Sequence, residues 1–129
     1  MADLLKIGAA WIAGRAKAQL SETVVYRRGG STVALQATYG QTAFRIGGDV
    51  GGHIIWGELD LLFTATDLIL AGAVATPARD DEVLVPAGDG LHQLVYEVAA
   101  PAGEAPWRYS DPFRTLLRVH LVYRNTVLA

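Results

Sequence analysis

Thr23-Val24-Val25-Tyr26-Arg27-Arg28-Gly29-Gly30-Ser31-Thr32-Val33-Ala34-Leu35-Gln36-Ala37-Thr38 is the stretch that decides the fold. Thr23 to Tyr26 is β-branched and aromatic, and so suits a pleated, half-buried surface. Gly29-Gly30 then breaks the run, and a glycine pair suits a tight hairpin turn because it tolerates positive φ. Thr32 to Thr38 resumes as a second strand.

The same texture continues outward from this hairpin. Tyr39-Gly40 reads as a turn, Thr42 to Ile46 as a third strand, and Gly47 to Gly52 as a flexible loop tip. Strand patterns return at His53 to Trp56 and Leu59 to Thr64. Thr66 to Gly72 predicts one short helical turn, capped by Thr66 and ended by Gly72. Glu82 to Val85 is a short strand, Gly88-Asp89-Gly90 a turn, and Leu94 to Ala99 a strand with Glu97 facing outward. After a loop over Pro101 to Pro106, Leu116 to Tyr123 is a closing strand. In it Leu116, Arg118, His120 and Val122 alternate with Leu117, Val119, Leu121 and Tyr123. Short strands separated by Gly, Pro and Asp turns predict a mainly β fold, a small antiparallel β-barrel or sandwich.

Only the N-terminus breaks the pattern. Asp3 is placed to cap a helix. Leu4, Ile7 and Trp11, with Ile12, Ala16 and Leu20, make a broad apolar stripe, and Arg15 and Lys17 suit a helix C-terminus. Residues 1–20 therefore predict an N-terminal amphipathic helix over 4–20, and residues 21–129 a single β-barrel-like domain. The stripe must pack on that domain or on a neighbouring subunit. Ile7 to Gly14 and Ala16-Lys17-Ala18 imitate a secretion signal. Asp3 cancels Lys6, however, and Arg15 and Lys17 crowd the cleavage point, so a mature helix of a cytosolically made protein is expected.

Composition narrows the function. The 129 residues hold no cysteine, which excludes a disulfide scaffold, a thiol nucleophile and an iron–sulfur site. An apolar share of 51% argues against disorder over most of the chain. With 11 Lys+Arg against 13 Asp+Glu, there is no surplus of cations to neutralise phosphates, and no run nears the ~20 apolar residues that span a bilayer. His53, His92 and His120 form no metal spacing, and His120, within a strand, reads as a structural histidine. No serine sits in a G-x-S-x-G elbow, and the 47–52 glycines lack the G-K-[S/T] of a phosphate loop. Neither catalytic residue, metal nor cofactor is implied.

Three surface features remain. Asp80-Asp81-Glu82 is the densest acidic run and reads as a solvated turn before a strand, or as charge facing a channel or an adjacent ring. Tyr26-Arg27-Arg28 reads as an exposed strand end. Trp107-Arg108-Tyr109 places large contact area and a bidentate donor on a loop, either as an interaction surface or anchored into its own barrel.

An ordered set of segments carries a resemblance over about 100 residues. It comprises Tyr26-Arg27-Arg28-Gly29, Ala37-Thr38-Tyr39-Gly40-Gln41-Thr42, Glu58-Leu59-Asp60-Leu61-Leu62, Ala65-Thr66-Asp67-Leu68 and Pro77-Ala78-Arg79-Asp80-Asp81. It continues through Tyr96-Glu97-Val98 and Trp107-Arg108-Tyr109-Ser110-Asp111-Pro112 to Arg118-Val119-His120. In this order the chain resembles head–tail connector (neck, stopper or head-completion) proteins of tailed bacteriophages. It departs from that pattern at Leu59, at Asp80-Asp81 and at Leu121-Val122-Tyr123. The resemblance implies a β-barrel in a homo-oligomeric ring in the virion neck, assembled in the host cytoplasm. It also implies portal or adaptor and tail proteins as partners, genomic DNA passing without sequence-specific binding, and no membrane. Leu4, Ile7, Trp11, Arg15, Trp107, Arg108 and Tyr109 are then candidate interface residues, and Asp80, Asp81 and Glu82 candidate channel or ring-contact charges. A tail-terminator or tail-tube-associated ring protein is the structural alternative. A small-ligand or carbohydrate-binding barrel, with Trp56, Trp107 and Tyr109 as a stacking platform, is the alternative of another class.

Overall fold

The computed structural model describes residues 21–46, 53–101 and 103–129. Its strands are β1 (Glu22–Arg28), β2 (Ser31–Gly40), β3 (Ala43–Ile46), β4 (His53–Trp56), β5 (Leu59–Thr64), β6 (Ile69–Leu70), β7 (Ala73–Val74), β8 (Glu82–Pro86), β9 (His92–Val98), β10 (Trp107–Tyr109) and β11 (Leu116–Leu128). Six of them close into an antiparallel barrel in the order β11-β5-β2-β1-β8-β9, with β9 returning to β11. Closure removes the free edges on which an open sheet would aggregate.

The β1–β2 hairpin follows the sequence reading. Arg28 pairs with Ser31 across Gly29-Gly30, and Gly29 takes φ +57°. Alternation then fills the barrel. Val24, Tyr26, Leu35, Ala37, Tyr39, Leu61, Phe63, Val83, Tyr96, Val98, Leu117, Val119 and Leu121 are buried in one core. Burying each large apolar side chain there contributes about 1.5–3 kcal/mol.

Closure depends on the length of β11. Its first half pairs with β5, from Leu116↔Thr64 to Leu121↔Leu59, and its second half with β9, from Leu121↔Val98 to Leu128↔His92. A register shift between Tyr123 and Asn125 bends the strand along the second half. β10 pairs with Leu117 to Val119 on the edge that β9 takes over further along. His120 sits at that handover, its N–H donating to Pro106 O at 2.8 Å and its carbonyl accepting from Ala99 N at 3.1 Å.

The structure corrects three local expectations. Tyr39-Gly40 ends β2 instead of turning, because Tyr39 faces the core and Gly40 still pairs with Asp60. The helical turn over Thr66 to Gly72 is a 3₁₀ turn over Ala65–Asp67 followed by the β6–β7 hairpin. There Leu68 and Leu70 are buried with Ile69 exposed between them, so period 2 prevails, and Ala71 and Gly72, at φ +53° and +82°, form the turn. Trp107-Arg108-Tyr109 is strand β10, not loop. The 4–20 helix and the 47–52 tip lie outside the described residues.

The β3–β4 hairpin forms a second layer. Its base is tied by Gly57 N–H to Thr42 O at 2.8 Å, and Phe44 lies edge-on to the His120 ring, the centroids 4.8 Å apart. It covers the outer face of β5 and β11, where the barrel carries polar side chains.

Candidate functional site

Under that hairpin lies a cluster built around Asp60. In Leu59-Asp60-Leu61-Leu62-Phe63 the odd positions face the core, so Asp60 points outward beside its β11 partner His120. It is nevertheless only 1% exposed. His120 Nδ1 donates to Asp60 Oδ1 at 2.8 Å, Arg118 Nη1 to Oδ2 at 2.7 Å, and Thr42 Oγ1 to the same Oδ2. Burial works against the carboxylate, but hydrogen bonds from His120, Thr42 and Arg118 outweigh it and hold the carboxyl below the usual range. Gly40 makes the arrangement possible, since a Cβ there would stand 2.9 Å from Arg118 Nη1 and 3.1 Å from Leu62 Cδ1. In sequence His120 reads as structural, without its partner Asp60 being singled out, nor Arg118 and Gly40, which complete the cluster around that carboxylate. A lone charge inside an apolar strand was the available signal.

A second cluster surrounds Asp81, where β1 meets β8. Arg28 reaches it with two hydrogen bonds, Nε–Oδ1 at 2.9 Å and Nη2–Oδ2 at 2.7 Å. The Tyr26 hydroxyl and the Ala78 N–H, the latter at 2.9 Å, donate to Oδ2. Burial opposes this charge too, yet the bonds from Arg28, Tyr26 and Ala78 hold the carboxyl down. Burial and the adjacent carboxylate push the Tyr26 hydroxyl up, so it remains a donor. Arg27 pairs with Glu82 at 2.7 Å in the same register.

The acidic run and the Tyr26-Arg27-Arg28 strand end thus neutralise each other. Asp81 is buried, Glu82 is half-buried and paired, and Asp80, at φ +73°, is exposed. The run does not present three free charges to a neighbour.

Trp107 and Tyr109 share the inward face of β10, meet edge-to-face at 5.3 Å, and pack partly buried against the core, while Arg108 points to solvent. They anchor β10 on the barrel, and Arg108 is the member of the trio left open to a partner. Leu4, Ile7, Trp11 and Arg15 lie outside the described residues.

Two grooves flank the β3–β4 hairpin, each of about 220 Å³. Trp107 borders one and Trp56 the other. Both fall below the ~300 Å³ at which small-molecule pockets usually begin. With Trp107 and Tyr109 turned to the core, the three aromatics do not make one stacking platform. Large apolar side chains are instead displayed outward: Ile54 (58% exposed), Trp56 (62%) and Phe113 (83%). Among the described residues no group of acidic, His or Cys side chains could hold a metal ion, and no helix is long and apolar enough to cross a membrane.

Two ion clusters thus lock the barrel's own layers, while a few large apolar side chains, Ile54, Trp56 and Phe113 among them, stay exposed on its surface. Residues 2–127 match the model of the phage head–tail joining protein family, and the chain belongs to that family. It is a family of phage structural proteins, not an enzyme class, which makes this chain a component of the virion neck that contacts other head and tail proteins. No curated protein and no solved structure matches it. Several segments that carried the resemblance meet in the two clusters. Gly40, Thr42, Asp60, Arg118 and His120 form one, and Tyr26, Arg28, Ala78 and Asp81 the other.

Proposed function

We propose that this chain is the repeating subunit of a ring that joins head to tail in a tailed phage. The ring sits between portal or adaptor and tail proteins and surrounds part of the channel through which DNA passes. The observation that carries this reading is the family match over residues 2–127. The surface supports it. Arg27, Arg28, Arg118 and Arg124 are each held by a carboxylate, which withdraws them from phosphate contact and suits DNA that must slide without sticking. The candidate interface comprises Arg108 beside the anchored Trp107 and Tyr109, with Leu4, Ile7, Trp11 and Arg15 from the N-terminal segment. Of the acidic run, Asp80 is the charge open to a channel or ring contact.

Inactivating the gene in the phage that encodes this chain tests the reading. DNA-filled or leaking heads beside free, finished tails are expected by electron microscopy, with gold-labelled antibody marking the neck of complete particles. Complete heads bearing tails of irregular length would identify a tail terminator instead. Normal, infectious particles would overturn both.

A further inference from the structure

Phe113 is 83% exposed, on a loop that is built rather than loose. The Asp111 carboxylate accepts from Thr115 N and Leu116 N, both at 2.9 Å, and from Thr115 Oγ1. Arg114 adopts φ +58°, its N–H donates to Asp111 O at 3.3 Å, and its guanidinium stands 5.7 Å from the Tyr109 ring centroid. Ser110 N–H to Leu116 O, at 2.7 Å, closes the loop. The turn therefore presents an aromatic ring to water from a backbone whose ordering entropy is already lost in folding. That is the character of an anchor that fills a partner's pocket.

The same chain carries a receptor of matching chemistry. One groove beside the β3–β4 hairpin is mainly apolar, its lining including Phe44, Trp56, Ala100, Pro101 and Val122. Its volume is about 220 Å³, and a cavity of about 150 Å³ already accepts a benzene ring. Exposed Glu58 stands at this groove, and exposed Arg114 stands beside Phe113, so knob and groove also match in charge. A loop cannot fill its own groove. Leu116, where the loop ends, and Leu121, at the groove, lie five positions apart along paired strand, roughly 17 Å at ~3.3 Å per residue.

We infer that Phe113 of one subunit inserts into the Phe44–Trp56–Ala100–Pro101 groove of the next copy, with Arg114 facing Glu58 across the contact. The inference rests on the ring reading and deepens it. Knob and groove are different surfaces of one chain, so the contact is heterologous, and repeated head-to-tail around an axis it generates a ring.

The natural chain lacks cysteine, which makes cross-linking specific. The full-length double variant Arg114→Cys/Glu58→Cys, which keeps Phe113 and the apolar groove, is oxidised and run without reductant, beside an Arg114→Cys/Thr32→Cys control. A ladder of covalent oligomers from the first variant alone is expected. Phe113→Ser weakens association roughly tenfold or more, as loss of a buried aromatic anchor does. Ala100→Phe blocks the groove to similar effect. Mixing these two variants yields 1:1 dimers and nothing larger, because each retains one half of the contact. Unchanged melting temperatures check that the variants fold. Rings visible by electron microscopy without a ladder above the control overturn the knob and groove and leave the ring standing. Neither rings nor ladder, up to the solubility limit of the protein, overturns both. Larger species in the mixture overturn the pairing.

Discussion

Asp60 and Asp81 are where single substitutions tell most. Removing one partner of a buried ion pair strands the other, at about 3–5 kcal/mol, whereas an exposed pair is worth about 0–1 kcal/mol. Asp60→Asn is therefore expected to cost about 3–5 kcal/mol, read as a lower urea midpoint at unchanged slope. Asp81→Asn strands only Arg28, itself 39% exposed, so about 1–3 kcal/mol is expected, while Glu82→Gln, in a pair half-exposed on both sides, stays within about 1 kcal/mol. Equal effects from the two would refute the division of the acidic run into one structural and one surface charge. Gly40→Ala tests space, not backbone strain. Its Cβ would meet Arg118 Nη1 at 2.9 Å, and overpacking of this kind costs about 1–3 kcal/mol. Arg118→Ala should relieve part of that cost in the double variant, and strict additivity would sink the explanation.

Among the described residues, the β3–β4 hairpin is tied down by Phe44 against His120, Thr42 on Asp60, the Gly57–Thr42 backbone bond and Gln41 Nε2 on Gly57 O. A two-stranded hairpin outside the closed ladder opens locally before the barrel does. Phe44→Ala is accordingly expected to expose residues 43–56 to limited proteolysis while the rest of the barrel stays resistant; uniform digestion would show that the hairpin is part of the barrel's own cooperative unit. The barrel ladder closes within residues 22–128. Deleting residues 1–20 should therefore preserve the far-UV β spectrum and cooperative melting yet abolish particle assembly. Normal particles from the truncated chain would remove Leu4, Ile7, Trp11 and Arg15 from the interface.

Both clusters respond together to pH. Asp60 and Asp81 have folded-state values depressed below the ordinary ones. Their stabilisation is complete above the unfolded value of about 3.9 and is lost as pH falls through the lower folded values. Thermal stability should hold down to about pH 4 and decline below it, and Asp60→Asn/Asp81→Asn should flatten that decline; an equally steep decline in the double variant would place the acid sensitivity elsewhere. The strand pattern, the Gly29-Gly30 hairpin, the barrel class and the family likeness were legible in the chain, because period-2 alternation and turn chemistry are local properties of consecutive residues. Barrel closure, the β10 strand, the β6–β7 hairpin and the two ion clusters were not. Asp60 meets Arg118 and His120 across about sixty residues, and Asp81 meets Arg28 across more than fifty. Pairings at such separations follow from strand register and barrel closure, which no local run of side chains encodes. A carboxylate that reads as surface in sequence was therefore buried and neutralised once the barrel wall brought its arginine alongside.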